Sequence, residues 1–318
     1  MDIFNSITLL WLFWVVTRSA DVVTPVADHQ SSVPNGGYTV SCILRATREH
    51  FETTLARQDQ PHTLAIHAEF PRRTEIGPAT IKFEEIKLGR QLSTVHATFI
   101  QHGSKEILAY ITQTNLSKES GLSFETGWTL SPAPYPTSSV AALANGTDPH
   151  WAENDSMPFP EFRKASHRVR FFFPRRGQMK KGWSDHWITF RNPTERFTQD
   201  TLGYVCDMFP QVVEAMITDD DPYHVTTAAG ERQAIARFWY PTVVLNIDVK
   251  KALPEEGIEW LFVRCRSKQI KNGRYDIEVI VMDEHGELVA ISHHVAMVLS
   301  AARNLGGKKK NGAGDSKI

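Results

Sequence analysis

Asn35-Gly36-Gly37-Tyr38 stands at the head of a helical pattern, a place suited to holding negative charge. The amides of a first helical turn lack partners within the helix and point a partial positive charge outward. They can polarise a carbonyl or bind an oxyanion. Asn35 can cap the turn by accepting from one of them. Glycines there weaken a helix, so Gly36 and Gly37 predict close approach by another backbone or by a ligand, and Gly37 is the candidate donor. Far along the chain, His293 and His294 share a strand-like run. A free imidazole titrates near neutrality and suits a general base. Alternation sends the two rings to opposite faces, so only one of them can serve. Asn246, among Val244, Leu245 and Ile247, places an amide in an apolar strand, which is costly without partners. A polarised carbonyl beside an activated water is the chemistry of acyl hydrolysis. Each residue also has a structural reading: glycines for tight packing, a strand histidine as a hydrogen bonder, Asn246 bonded to a neighbouring loop.

The basic residues give a second set of candidates. Arg72, Arg73 and Arg90 in the first half, and Arg264, Arg266, Lys268, Lys271 and Arg274 in the second, could meet phosphates. Arg90, in a turn beside Gly89, is the foremost of them, while alternating charges on a strand face are ordinarily solvated. Globally the charge is −1, with 35 Lys and Arg against 36 Asp and Glu, so no net field draws nucleic acid. The chain has no Gly-rich nucleotide loop and no Gly-x-Ser-x-Gly elbow. Its 3 cysteines, Cys42, Cys206 and Cys265, form neither a disulfide framework nor a CxxC metal pair and read as reduced core thiols. No metal and no cofactor is expected.

Elements that could position these residues recur twice. After Asn35, the residues Val40, Ile43, Leu44, Thr47, Phe51 and Leu55 make one apolar helical stripe. Strands are predicted over 63–72, 79–87, 92–101 and 105–116, the last two joined by a tight turn at Gln101-His102-Gly103-Ser104. A Pro-rich connector spans 127–168 and carries aromatics that should hold it on the surface. Strands follow at 169–173 and 185–190, then a helix over 200–217 that Pro210 should kink or shorten. Further strands are predicted at 242–249, 260–271, 275–282 and 288–299, the last two joined at Glu284-His285-Gly286-Glu287. Both copies end in a hairpin with His-Gly at its tip, which reads as a duplication. Residues 34–126 form the first unit and 169–302 the second, each a bent antiparallel sheet around a helix, with the sheets able to join edge to edge.

The ends carry address signals. Residues 7–16 are an apolar run of signal-peptide length, too short for a comfortable membrane span and without a preceding Lys or Arg. Ser316-Lys317-Ile318 ends a Gly/Lys-rich tail, expected to be disordered over 303–318, and is one residue from the peroxisomal Ser-Lys-Leu. An intracellular location, cytoplasmic or peroxisomal, is the expectation, with secretion the alternative. No stable membrane span is expected.

Several segments resemble bacterial type II acyl-CoA thioesterases. Asn35-Gly36-Gly37-Tyr38 resembles their first-helix start, and Phe70-Pro71-Arg72-Arg73 with Leu88-Gly89-Arg90-Gln91-Leu92-Ser93-Thr94 their strand-to-strand segment. Leu202-Gly203-Tyr204 resembles the start of their second helix, and Glu259-Trp260-Leu261 with Asp283–Ala290 their final strands. The likeness covers residues 34–302 and is closer still to fungal proteins called thioesterase-like. It implies an α+β double hot-dog fold, with an acyl-CoA or related acyl thioester as substrate and CoA entering only as part of it. It leaves homo-oligomer formation open. Members have a strand or two before the first helix, which residues 1–33 do not resemble.

In the bacterial enzymes an Asp, a Thr or Ser and a Gln position the attacking water. Counting from Trp260 and Gly286 places the Asp on Asn246, the Thr on Lys268 beside Ser267, and the Gln on His294. The resemblance therefore implies a rebuilt site: His294 as base, Asn246 holding the water, Ser267 assisting and Gly37 polarising the carbonyl. Asn35, Gly36, Arg90 and Lys268 are the substrate and CoA candidates. The alternative is a hot-dog protein that binds an acyl or other apolar ligand, or serves structurally, without catalysis. A hot-dog dehydratase or hydratase is a third reading. Asp207 and Gln211 fit the Asp-x-x-x-Gln spacing of the dehydratases, but their His-x-x-x-Gly-x-x-x-x-Pro partner is missing.

Overall fold

The structure, a computed structural model, describes residues 22–23, 34–154, 165–208, 211–217 and 238–300. The apolar run at 7–16, the C-terminal tripeptide and Pro210 lie outside them. The first half contains β1 (Val22–Val23), α1 (Gly36–Thr53), β2 (His62–Glu69), β3 (Ala79–Lys87), β4 (Ser93–Gln101) and β5 (Ser104–Thr114). A strap follows with α2 (Val140–Ala144) and β6 (Trp151–Glu153). The second half contains β7 (Val169–Pro174), β8 (Trp183–Phe190), α3 (Leu202–Cys206), α4 (Glu214–Ile217), β9 (Phe238–Trp239), β10 (Thr242–Val249), β11 (Leu261–Arg266), β12 (Ile270–Lys271), β13 (Arg274–Asp283), β14 (Leu288–Met297) and β15 (Leu299–Ser300).

Helix α1 forms as its spacing dictates. Asn35 Oδ1 accepts from the Tyr38 amide at 2.9 Å, and Val40, Ile43, Leu44, Thr47 and Phe51 line one buried face. The long strands alternate in the same economical way. In β14, Ser292, His294 and Ala296 are buried while His293 and Val295 are exposed. The β4–β5 turn has φ of 49° at His102 and 77° at Gly103, the mirror-image turn whose twist matches its strands.

Among the described residues an antiparallel sheet of 13 strands results, in the order β1-β3-β4-β5-β2-β10-β14-β13-β11-β8-β7-β6, with β12 on β13, while β9 and β15 pair separately. The halves meet where β2 pairs antiparallel with β10, from Glu69 opposite Val244 to Ala65 opposite Asp248. Each half thereby covers the other's exposed edge. The inner faces close around α1 and α3, and one apolar cluster runs through both halves.

Two expectations are corrected. The first half does have a strand before its helix: Val22–Val23 pairs with Ala79 and Thr80 of β3. The helix expected over 200–217 is broken, because α3 stops at Cys206 and helical turns resume only at Gln211. Proline at 210 has no N–H to return to the carbonyl of Cys206, so a regular helix cannot pass through. The described part of the connector packs on the sheet through Tyr135 and Trp151, while Trp128 is exposed. Leu130, Leu143 and Trp151 form a second cluster with Phe172, Trp187, Trp260 and Phe262 on the outer face of the sheet. Arg264, wholly buried, fastens it: Nε and Nη2 each donate to the Asp185 carboxylate at 2.6 Å, and Nη1 donates to the Pro132 carbonyl at 2.7 Å. Burial raises the Asp185 carboxyl above its usual range, and the Arg264 guanidinium opposes that rise.

Candidate active site

The two helices cross at glycines. A side chain on Gly37 would stand 2.3 Å from the Gly203 carbonyl oxygen and 2.4 Å from Asp207 Cβ, and one on Gly203 would stand 2.7 Å from the Ser41 amide. This close approach is what the helix-start glycines predicted, and the approaching group is protein. The crossing is stitched from both sides. Ser41 Oγ of α1 accepts from the Tyr204 amide at 2.8 Å, and Asp207 Oδ2, at the end of α3, accepts from the Gly37 amide at 2.7 Å. Asn35 Nδ2 adds a bond to the Asp207 carbonyl at 3.3 Å. The carboxylate thus sits on the positive end of α1.

Asp207 is the hub of a buried polar cluster. Its Oδ1 accepts from Thr242 Oγ1 at 3.0 Å, and His294 Nδ1 lies 3.4 Å from the same oxygen without hydrogen-bond geometry. On the other side of the ring, His294 Nε2 is 2.9 Å from Ser292 Oγ, which donates to the Asn246 carbonyl at 2.8 Å. Asp207 and His294 are 5% and 3% exposed, whereas Asn35, Gly36 and Thr242 are half-buried, so the carboxylate–imidazole pair lies just beneath the head of α1. Burial and the nearby Asp207 carboxylate hold the Tyr275 phenol well above its ordinary value, so it remains a neutral neighbour of the cluster.

The first-turn amides can be accounted for individually. Tyr38 N donates to Asn35 and Gly37 N to Asp207, and Gly36 N makes no hydrogen bond among the described residues. The donor assigned to Gly37 is therefore already engaged. No buried thiol supplies a nucleophile: burial pushes Cys206 up to about 12 and raises Cys42 and Cys265 as well, so all three stay protonated near neutrality.

Of the sequence candidates, the structure brings His294, Gly37, Gly36 and Asn35 together around Asp207. It does not bring Asn246, Ser267, Arg90 or Lys268 there. Asn246 lies opposite His293 and His67 on the outer face, its Oδ1 2.7 Å from His67 Nδ1, while its neighbours Leu245 and Ile247 point inward. Only its main chain reaches the cluster. The Ser267 amide donates to the Gly182 carbonyl, and its Oγ lies 3.5 Å from the Gln269 carbonyl. Lys268 Nζ donates to Glu278 Oε2 at 2.7 Å and lies 3.3 Å from His293 Nε2, again on the outer face. Arg90 follows β3 in the turn before Thr94, and the ladder from Thr94 through Thr112 and Ala65 ends at Asp248, the end of β10 remote from Thr242. Its loop is tied there through Gln60 Nε2 to the Gly89 carbonyl at 2.9 Å.

Thr242 and Ser292 are the residues that sequence reading missed, and Asp207 was noted only for its Asp-x-x-x-Gln spacing to Gln211. A signal existed in the duplication itself. Gly37-Tyr38 and Gly203-Tyr204 open matching helices, and Ser41 and Asp207 occupy the same place after each glycine.

Comparison with known proteins decides the lineage. Residues 24–114 match the acyl-CoA thioesterase N-terminal domain, and residues 136–298 match the acyl-CoA thioesterase C-terminal domain. The chain belongs to the acyl-CoA thioesterase family. A curated relative, the thioesterase-like protein TwmA of Talaromyces wortmannii, is 40% identical, with 90% of this chain and 89% of that one aligned. Among solved structures, a hot-dog protein of Alicyclobacillus acidocaldarius superposes with a TM-score of 0.65 at 15% identity, covering 90% of this chain and 96% of its own. The acyl-CoA thioesterase II TesB2 of Mycobacterium marinum superposes with a TM-score of 0.53 at 15% identity, covering 91% and 94%. The fold of this family member is thus the double hot-dog, and no helix among its described residues is long and apolar enough to cross a membrane.

Proposed function

We propose that this thioesterase-family chain hydrolyses an acyl-CoA, or a related acyl thioester, at the Asp207–Thr242–His294 cluster. The observation that carries the reading is the convergence of an Asp, a Thr and a His on one point beside a helix-start amide that makes no hydrogen bond among the described residues, from segments as distant as residues 36 and 294. The bacterial enzymes of the resemblance use an Asp, a Thr or Ser and a Gln; here the Asp and Thr types are present and the third place is an imidazole.

A water drawn against both Asp207 and His294 attacks the thioester carbonyl carbon. Nδ1 takes a proton from that water, and the imidazolium formed is paired with the Asp207 carboxylate. The carbonyl oxygen becomes an oxyanion, for which Gly36 N at the head of α1 is the available donor. Collapse breaks the carbon–sulfur bond, and His294 returns the proton to the departing sulfur. Acid and thiol are the products, and no cofactor is consumed. The terminal Ser316-Lys317-Ile318 supports an intracellular place of action, peroxisomal or cytoplasmic.

The test is thiol release by the purified full chain from a panel of acyl-CoAs, with Asp207→Asn alongside. Release lowered about 100-fold by the variant is the expected result, the usual scale for a positioned proton-transfer group. No release from any member, with thermal stabilisation by acyl-CoA retained, would instead support a non-catalytic ligand-binding protein.

A further inference from the structure

We infer that Ser292 is a positioning residue that fixes the tautomer of His294, keeping the proton on Nε2 and the lone pair on Nδ1. The inference rests on the base role given to His294 above. It follows from counting protons. A serine hydroxyl has one proton to donate and lone pairs to accept with. Ser292 donates to the Asn246 carbonyl at 2.8 Å, so its oxygen can only accept from the imidazole nitrogen 2.9 Å away. Nε2 must then be the protonated nitrogen of the neutral ring.

The consequence lies on the other side of the ring. Nδ1 is 3.4 Å from Asp207 Oδ1 and makes no hydrogen bond, although it is buried. Left to itself, a carboxylate at that distance would draw the ring proton to Nδ1, as carboxylates beside histidines ordinarily do. The ring would then donate to Asp207 and could not accept a proton from water. Ser292, held on the β10 backbone from the neighbouring strand, opposes that tautomer. The strand pairing explains why the arrangement is rigid: Asn246 is opposite His293 and Leu245 opposite His294, so the accepting carbonyl and the ring share one ladder.

Long-range proton–nitrogen correlation on the full chain with 15N-labelled histidine tests this directly, the His294 signals being assigned by their loss in His294→Gln. The expected spectrum has the neutral ring protonated at Nε2 in the parent and shifted toward Nδ1 in Ser292→Ala. Alongside, Ser292→Ala should lower kcat about 10- to 100-fold with KM little changed, and Ser292→Thr, which keeps the hydroxyl, should recover most of it. A parent spectrum with the proton on Nδ1 would overturn the inference, and this needs no variant to fold. Full turnover by His294→Gln would remove the base role of His294, and Ser292's catalytic part with it, whatever the spectrum shows. Loss of kcat in Ser292→Ala without a change of tautomer would also overturn the positioning role.

Discussion

At the scale of single residues, the chemistry depends on which face of a strand a side chain takes. His293 and His294 are neighbours in sequence, yet one is exposed beside Glu278 and the other is buried beside Asp207. Asn246 shows the cost of misjudging parity: apolar residues flank it on both sides, so the alternation that puts it outward is hidden in the sequence. Asn246→Ala should therefore leave kcat/KM within about threefold, since its side chain touches nothing in the cluster. Thr242→Val should lower kcat roughly 10-fold or more by freeing Asp207 Oδ1 from its one hydroxyl partner, which steady-state assays of the two variants would separate. His294 was legible because it lies at a countable distance from the hairpin at Gly286. Asp207 stood out only for its spacing to Gln211, because it sits at the end of a broken helix and meets Thr242 and His294 only after the chain has folded.

At the scale of elements, the two helices hold the site in place, and the strap covers the outer face of the sheet. Gly37→Ala and Gly203→Ala each force a methyl against backbone, and the helices must separate. A loss of about 1–3 kcal/mol in urea-monitored stability is expected for either, with activity lowered as Asp207 leaves the head of α1. The strap offers a cleaner contrast. Arg264→Met strands the buried Asp185 carboxylate and should cost about 3–5 kcal/mol, whereas the double change Arg264→Met with Asp185→Leu should recover much of that loss. Most elements were legible: the apolar stripe of α1, the long strands and both hairpins follow from spacing and turn chemistry. Pro210 signalled an interruption of the second helix but not its extent, because the segment after Cys206 still carries apolar residues at helical spacing, and the short strand at Val22–Val23 was not legible, because a two-residue strand has no pattern.

At the scale of the whole molecule, the duplication is structural while the site belongs to one half. Ile111 and His294 stand equally far after the hairpin glycines 103 and 286, and Ala109 matches Ser292 in the same way. Ser41 stands where the second half has Asp207. The first half is therefore an apolar counterpart that supplies the head of α1, and one acyl-CoA should bind per chain. Titration calorimetry with a non-hydrolysable thioether analogue should give a stoichiometry near one. The second half also carries a buried liability at low pH. Burial depresses His186 to about 3, so it stays neutral in the folded chain while the unfolded chain takes up a proton below its ordinary 6.5. The unfolded state then binds more protons, and stability falls as pH drops from about 6.5 toward 3, by about 1.4 kcal/mol per unit. Unfolding titrations across that range should show the slope, and His186→Gln should remove its share.

Asp207 and His294 are proposed to act on one water as a unit. A double-mutant cycle on kcat/KM for acyl-CoA hydrolysis, with Asp207→Asn, His294→Ala and the pair, measures that directly. The account predicts that the pair loses little more than the more damaging single change, because either substitution alone dismantles the same step. Losses that multiply fully in the double variant would mean that the two residues work independently and would contradict it.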